Sequence, residues 1–412
     1  MRRTMAYRLF EPVRIGPLTL RNRTIRAAAF EGMSPGNDVS DQLIAYHRSV
    51  AEGGVGMTTV AYAAVERSGL AFPHQLWLRP QVIPGLRRIA EPVHAAGAKI
   101  SIQLGHCGNM AANGAVAGGR AIAPSAKFNL YGPTFPRAMD ADDLKRVTKS
   151  FGEAVRLVAD AGFDAVEVHA GHGYLISQFL SPFTNRRKDA YGGPLAQRMR
   201  FMREVMAEVK QAAGSKLAVL VKMNTRDGFA GGQELDETVQ VARTLEQDGA
   251  DALILSGGFV SRTPMYIMRG PMPTKVMGKL MTQWWMRFFV GSFGEWLIPP
   301  VPYTDAYFLE DAKVIRKEVK LPLVYVGGVA SQSAADTVLG SGFEAIALAR
   351  ALLREPDFVN RLQREQAAGQ AASASRCDHC NYCAARIYTT NTACHLVDEP
   401  PEALRRLLPA GT

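Results

Sequence analysis

The chain has 412 residues, 47% of them hydrophobic and 21% charged, and its 48 Lys and Arg against 38 Asp and Glu give a formal net charge of +10. This length buries a large core, and so ordinary a composition excludes a disordered or fibrous chain. The basic residues are scattered with no long basic run, which argues against nucleic-acid binding and leaves a surface that can attract phosphate-bearing ligands.

The N-terminal MRRTMAYRLFEPVRIG is followed by no long apolar stretch. Neither a signal peptide nor a membrane span is expected there, and a cytoplasmic location is the default expectation. Further on, short aliphatic and β-branched runs predict strands at 24–29, 55–60, 98–104, 164–169, 217–223, 251–256, 322–326 and 344–349. Most are nearly all apolar, as parallel strands buried on both faces are. The segments between them have helical spacing. One example is 144–161, with Val147, Phe151, Val155, Val158 and Ala159 apolar. Alternating strands and helices predict a parallel α/β architecture. Eight units favour a closed (β/α)₈ TIM barrel over an open sheet, and no G-x-G-x-x-G follows the first strand, where a dinucleotide-binding fold would carry it. The expected organisation is a barrel over 1–358 with an N-terminal cap, an aromatic insertion at about 262–304 between strands six and seven, and a Cys-rich extension over 359–412.

A barrel of this kind places its chemistry at the C-terminal ends of its strands. The fourth strand ends inside VEVHAGHGYLISQFLSPFTNRR, residues 166–187. His169 and His172, three residues apart, could hold and polarise a carbonyl oxygen, and Tyr174 could deliver a proton. Strand seven ends in Gly327 and Gly328, and strand eight in Ala349 and Arg350. Glycines let backbone N–H groups approach a phosphate, which barrels often bind at this place.

The 166–187 segment closely resembles the H-x-x-H/N-G-Y-L-x-x-Q-F-L-S-P-x-x-N-x-R motif of the old yellow enzyme family of NADH:flavin oxidoreductases. LFEPVRIGPLTLRNR resembles the family's opening motif, and Gln103-Leu-Gly-His106-Cys-Gly108 its Q-L-x-H-x-G. The resemblance covers about residues 9–357. It implies FMN at the top of the barrel, NAD(P)H as reductant, and Gln103 on the flavin pyrimidine edge. It also implies backbone around Ala28, Ala29 and Ala61 along the isoalloxazine. His169 and His172 would then hold the substrate's carbonyl, with Tyr174 as proton donor. Two positions depart from the pattern. Ala29-Phe30 stands where a small polar Thr or Cys is usual, and Lys222, inside the apolar VLVKMN, replaces an Arg near flavin N1 and O2. Lys keeps the charge and loses the planar fork.

Four of the five Cys lie in the tail, as Cys377-x-x-Cys380-Asn381-x-Cys383 and then Cys394. This spacing suits a four-iron cluster, zinc, or a thiol-rich turn. It resembles the cluster motif of the trimethylamine dehydrogenase and 2,4-dienoyl-CoA reductase branch, whose last spacing is longer. A cluster here would need an external electron partner. Cys107 stands apart and is expected to pack in the core.

The insertion carries Trp284, Trp285, Phe288, Phe289, Phe293 and Trp296 at helical spacings. It is too short to span a bilayer. A homo-oligomer is expected, with the insertion as its contact; an apolar lid and a membrane-interface element are the other open readings of the insertion. The expected reaction is reduction of the activated C=C bond of an α,β-unsaturated carbonyl compound, bulky and apolar if the insertion roofs the site. The alternative is a flavin dehydrogenase oxidising an amine and passing electrons through the Cys cluster to a protein acceptor. A third reading is a barrel that has kept its fold and lost its flavin.

Overall fold

The computed structural model describes residues 8–111, 120–129, 135–281, 284–388 and 391–397. Eight parallel strands form a closed barrel. They are β1 (Thr24–Arg26), β2 (Met57–Ala64), β3 (Lys99–Gly105), β4 (Ala165–Ala170), β5 (Ala218–Asn224), β6 (Ala252–Ser256), β7 (Leu323–Val326) and β8 (Ala345–Leu348). They follow one another around the ring in chain order, and β8 closes on β1 with Ile346 opposite Thr24 and Leu348 opposite Arg26.

All eight strands lie where the apolar runs placed them, with two instructive shifts. The first stops at Arg26, so 27–29 leave the ladder at the barrel mouth. The second runs on to Ala64 past a register shift between Val60 and Ala63. Such an irregularity turns a strand and re-aims its side chains.

Two apolar layers hold the barrel. Inside, Ile25, Met57, Ala165, Leu220, Ile254 and Val324 pack with Val13, Ile15, Leu18 and Leu20 of an N-terminal hairpin. That hairpin closes the N-terminal end of the barrel. Gly16 turns it at φ 55°, and a Cβ there would lie 2.7 Å from the Asp251 carboxylate, so only glycine fits. Outside, helices cover the strands. The longest, α1 (Ala141–Asp160), starts at a reciprocal Asp140/Asp143 capping box. It buries Leu144, Val147, Phe151, Val155 and Val158. Each such side chain contributes roughly 1.5–3 kcal/mol on leaving water.

Between β6 and β7 the chain forms a short helix, Pro264–Met268, and a helical hairpin of α2 (Thr274–Leu280) and α3 (Trp284–Leu297). Met265, Met272, Val276, Met277 and Met281 pack there with Ala385 of the tail. Position 358 opens the helix Phe358–Ala367, whose Phe358, Val359 and Leu362 join the outer layer of the barrel core. Among the described residues, no helix is long and apolar enough to cross a membrane.

Candidate active site

A cavity of about 620 Å³ opens at the C-terminal ends of the strands. Each strand delivers something to it: Ala28 and Ala29 after β1, Tyr62 from β2, Gln103 from β3, His169 from β4, Lys222 from β5 and Ser256 from β6. Gly327 and Gly328 follow β7, and Ala349 and Arg350 follow β8.

Lys222 has no surface role. It is 2% exposed, its Nζ lies 2.8 Å from Oε1 of Glu167, and it donates to the Ala28 carbonyl at 3.1 Å. Glu167 is 1% exposed, and the same oxygen accepts from Gln103 Nε2 at 2.6 Å. A charge buried this deeply persists only when paired. The pair is neutral overall, so the free positive charge expected from Lys222 is offset by Glu167. An ammonium has three donors and a carboxamide has an acceptor as well as two donors. Lys222 and Gln103 therefore keep one donor each, and Gln103 its carbonyl, for a partner in the cavity. A polar edge of donors and an acceptor below an apolar slot fits the heterocyclic rim of a flavin.

The slot's wall is set by a second buried pair. Arg26 Nη1 lies 2.6 Å from Glu31 Oε1, and the Arg26 guanidinium also donates to the Ala29 carbonyl at 2.9 Å. Glu31 in turn accepts the Ala61 N–H at 3.0 Å. This network holds 27–31 against β2. Ala61 is buried there and spent on Glu31; it does not line the cavity, and its neighbour Tyr62 does.

His169 is the last inward residue of β4, and its Nδ1 accepts the Gly171 N–H at 3.4 Å, leaving Nε2 to carry the proton. His172 sits at φ 60°, a strained conformation for a side chain with a Cβ. Three bonds hold it there. Its N–H donates to Asn224 Oδ1 at 2.9 Å, its carbonyl accepts from Val260 at 3.0 Å, and Nε2 lies 2.7 Å from Ser256 Oγ. The two imidazole centroids are 5.3 Å apart, and Tyr174 lies 4.4 Å from His169. Tyr62 meets Tyr174 edge-on at 4.9 Å. Burial pushes His169 well below its ordinary value, helped by His172 and Lys222. Burial, with the Lys222 charge, takes His172 down to about 3. Both imidazoles are neutral at pH 7. Burial also drives the Tyr62 phenol well above its ordinary value.

Gly327 and Gly328 adopt φ 132° and 71°, and a Cβ on Gly328 would strike the backbone at Ala306 and Thr304. Arg350 stands beside them and also donates to Asn381 Oδ1 at 2.6 Å and to the Arg269 carbonyl at 3.2 Å, tying tail to insertion. The tail reaches the other rim too, where Thr392 donates from N and Oγ1 to the carbonyls of Glu31 and Phe30 at 2.6 and 2.9 Å.

Among the described residues the tail cysteines form no disulfide. Cys377 and Cys383 line the cavity, whereas Cys380 lies 4.0 Å from His395 Nδ1. Among the described residues, no three His, Cys, Asp or Glu side chains are grouped to hold a metal ion; the expected ligands Cys377, Cys380, Cys383 and Cys394 all lie in this part of the tail. Charge interactions link Cys383 to Cys377 and Cys394, and Cys380 to Cys383. Burial pushes the thiols of Cys380 and Cys383 up to about 12. Cys107 is fully buried beside Ala111 and Ala121, which suits packing.

Four site residues escaped the sequence reading: Glu31, Tyr62, Glu167 and Ser256. Glu167 carries a sequence signal, since a carboxylate two residues before His169 shares its face of β4 and needs a buried cation, which Lys222 supplies. The insertion behaves differently on its two sides. Met272, Met277, Leu280, Met281 and Ile298 line the cavity, while Trp284, Phe288, Phe289, Phe293 and Trp296 face outward. The lid is made of methionine and aliphatic residues, not of the aromatic face.

The family model described as NADH:flavin oxidoreductase / NADH oxidase matches residues 8–277. The 4,4'-dithiodibutanoate disulfide reductase of Rhodococcus erythropolis is 40% identical over 399 residues, 95% of each chain. Among solved structures, a 2-naphthoyl-CoA reductase complex superposes with a TM-score of 0.80 at 22% identity, covering 98% of this chain and 58% of that one. The old yellow enzyme homologue of Zymomonas mobilis gives 0.68 at 24% identity, covering 90% and 95%. At these identities the two structures testify to the fold.

Proposed function

The chain belongs to the NADH:flavin oxidoreductase / NADH oxidase family and is an FMN-dependent NAD(P)H oxidoreductase; from that premise we propose that it reduces the C=C bond of an α,β-unsaturated carbonyl compound. The observation that carries this reading is the pair of neutral imidazoles, His169 and His172, with the Tyr174 phenol 4.4 Å from His169 at one cavity wall.

Bound FMN supplies hydride acceptance from NAD(P)H and hydride donation to the acceptor. Gln103 and Lys222 would hold its polar edge, Ala28 and Ala29 its face, and Gly327, Gly328, Ala349 and Arg350 its phosphate. His169 and His172 donate hydrogen bonds to the substrate's carbonyl oxygen. Their effect grows as negative charge develops there, and one such donor can contribute roughly 10²–10³ in rate. Because burial keeps both rings neutral, this polarisation does not depend on a titrating histidine near pH 7. Ser256 fixes the His172 ring, and Asn224 fixes its backbone. Tyr174 gives its proton to the α-carbon, and its ring is positioned by Tyr62 and His169. The Met272, Met277 and Met281 wall excludes water and favours a bulky apolar substrate.

The test is Tyr174→Phe in separate half-reactions. Reduction of the protein's flavin by NAD(P)H should keep its rate, and reoxidation by cyclohexenone should slow by roughly 10²-fold. Wild-type rates in both would rule out the proton-donor role.

Disulfide reduction is a second reading, favoured by the Rhodococcus relative, which matches this chain over 95% of both lengths. Hydride delivery to one sulfur would break the S–S bond, leaving a thiol and a thiolate, and Tyr174 would protonate the thiolate. Turnover of NAD(P)H with 4,4'-dithiodibutanoate but not with enones would put this reading first.

A further inference from the structure

The helical hairpin over the cavity is apolar on its outer face as well as its inner one. Beside Val276, Met277 and Val290, small residues let α2 and α3 approach closely. A Cβ on Gly278 would lie 2.9 Å from the Gly291 nitrogen, and one on Gly294 would collide with Thr274. The outward face of α3 is aromatic. Trp284 and Trp296 are 80% and 81% exposed, and Trp285, Phe288, Phe289, Phe293 and Leu297 are exposed between them. With about 150–250 Å² per aromatic side chain, the exposed patch is on the order of 800 Å². The largest patch on a typical monomer reaches roughly 300–600 Å². Glycine at the helix contact with large apolar groups outside is how helices pack in lipid.

Three further features say what covers this face. The exposed Trp284, Trp285 and Trp296 are of the residue type enriched at a bilayer's polar boundary. Lys275, Lys279 and Arg287 are exposed on the hairpin and form no ion pair among the described residues; Glu295 is the one acidic residue from 274 to 297. A second copy related by a two-fold axis would bring these like charges together, whereas anionic headgroups would neutralise them. Finally, α3 has 14 residues and is about 21 Å long, too short to cross a bilayer and suited to lying in its surface.

We propose that the α2–α3 hairpin docks the protein on an anionic bilayer surface, with the aromatic face at the acyl boundary and Lys275, Lys279 and Arg287 among the headgroups. The opposite side of the hairpin supplies Met277, Leu280 and Met281 to the cavity, so an apolar molecule held in lipid would enter through the docked element. Docking itself is independent of which acceptor the site reduces.

The experiment uses the full FMN-loaded chain with phosphatidylcholine vesicles, with or without one quarter phosphatidylglycerol. Three of its four tryptophans are in the hairpin (Trp284, Trp285 and Trp296), so emission reports docking directly. The expected result is flotation with the anionic vesicles, a blue shift, and quenching by brominated acyl chains. Each basic group near such a surface is worth about fivefold, so losing three costs about a hundredfold, and the charge reversal K275E/K279E/R287E should lower partitioning by at least that much. F288S/F289S/F293S should abolish the blue shift, and both variants should keep the wild-type rate of reduction by NAD(P)H. No flotation of the wild type would overturn the proposal, as would undiminished flotation of the aromatic variant. So would a dimer that F288S/F289S/F293S dissociates and that anionic vesicles leave intact.

Discussion

Replacing Glu167 with Gln removes the only carboxylate that faces the buried Lys222 ammonium among the described residues, at 2.8 Å and with both groups at or below 2% exposure. Breaking a buried pair from one side leaves a charge without compensation and typically costs about 3–5 kcal/mol. Gln retains the shape and one acceptor for Gln103 and Lys222, so a loss near the lower end, about 3 kcal/mol, is expected. Replacing both partners is far milder, because the uncompensated charge goes as well. Lys222→Met added to Glu167→Gln should therefore recover about 2 kcal/mol of the loss, and because Lys222→Met alone also breaks the pair, the double-mutant cycle should give a coupling of more than about 2 kcal/mol. Urea unfolding of the four apo proteins measures this. The reduction potential of bound FMN gives an independent readout. It should rise in Glu167→Gln, where the cation is no longer offset, and fall back when Lys222 is also replaced. A single variant within 0.5 kcal/mol of wild type, or a double variant no better than the single, would refute the argument that the pair is the neutral unit.

Three further outcomes follow from the same geometry. Because His169 and His172 are held neutral, the acceptor half-reaction should show no inflection near the ordinary histidine value between pH 5 and 8; a rate that rises or falls tenfold across that window would show that a histidine titrates in the step. Glu66 is held at about 2: burial alone would raise it, but hydrogen bonds and charge from His106 and Arg146, with Ser68, outweigh that. Its folded-state value lies below its unfolded one, so its contribution, about 3 kcal/mol, is complete above pH 4.5 and fades as pH falls towards 2. Glu66→Gln should flatten the acid limb of the urea-midpoint curve, and an unchanged slope would count against the assignment. Deleting 280–298 strips Leu280, Met281 and Ile298 from the cavity wall. It should raise KM for a steroid enone roughly tenfold more than for cyclohexenone, and equal losses would show that this wall does not select for size.

The eight strands, the cap and the position of the cavity were legible in the sequence because they rest on local pattern. Apolar runs of strand length, helical spacing such as Val147, Phe151, Val155 and Val158, and the H-x-x-H-G-Y grouping at the end of β4 are properties of neighbours along the chain. The insertion and tail were visible as interruptions of that pattern, but not what each face of them does. Only the fold brought Glu167 to Lys222, 55 residues away, and Ser256 to His172, 84 residues away, because register between strands decides which buried polar groups meet. The same holds for Ala61 and Tyr62, where one irregularity in β2 chose which of two adjacent residues faces the cavity. Period and composition determined the scaffold and the residue types at its mouth. Pairing, protonation state and the two-sided character of the lid are set by burial and by contacts between distant segments, and these exist only once the barrel has closed.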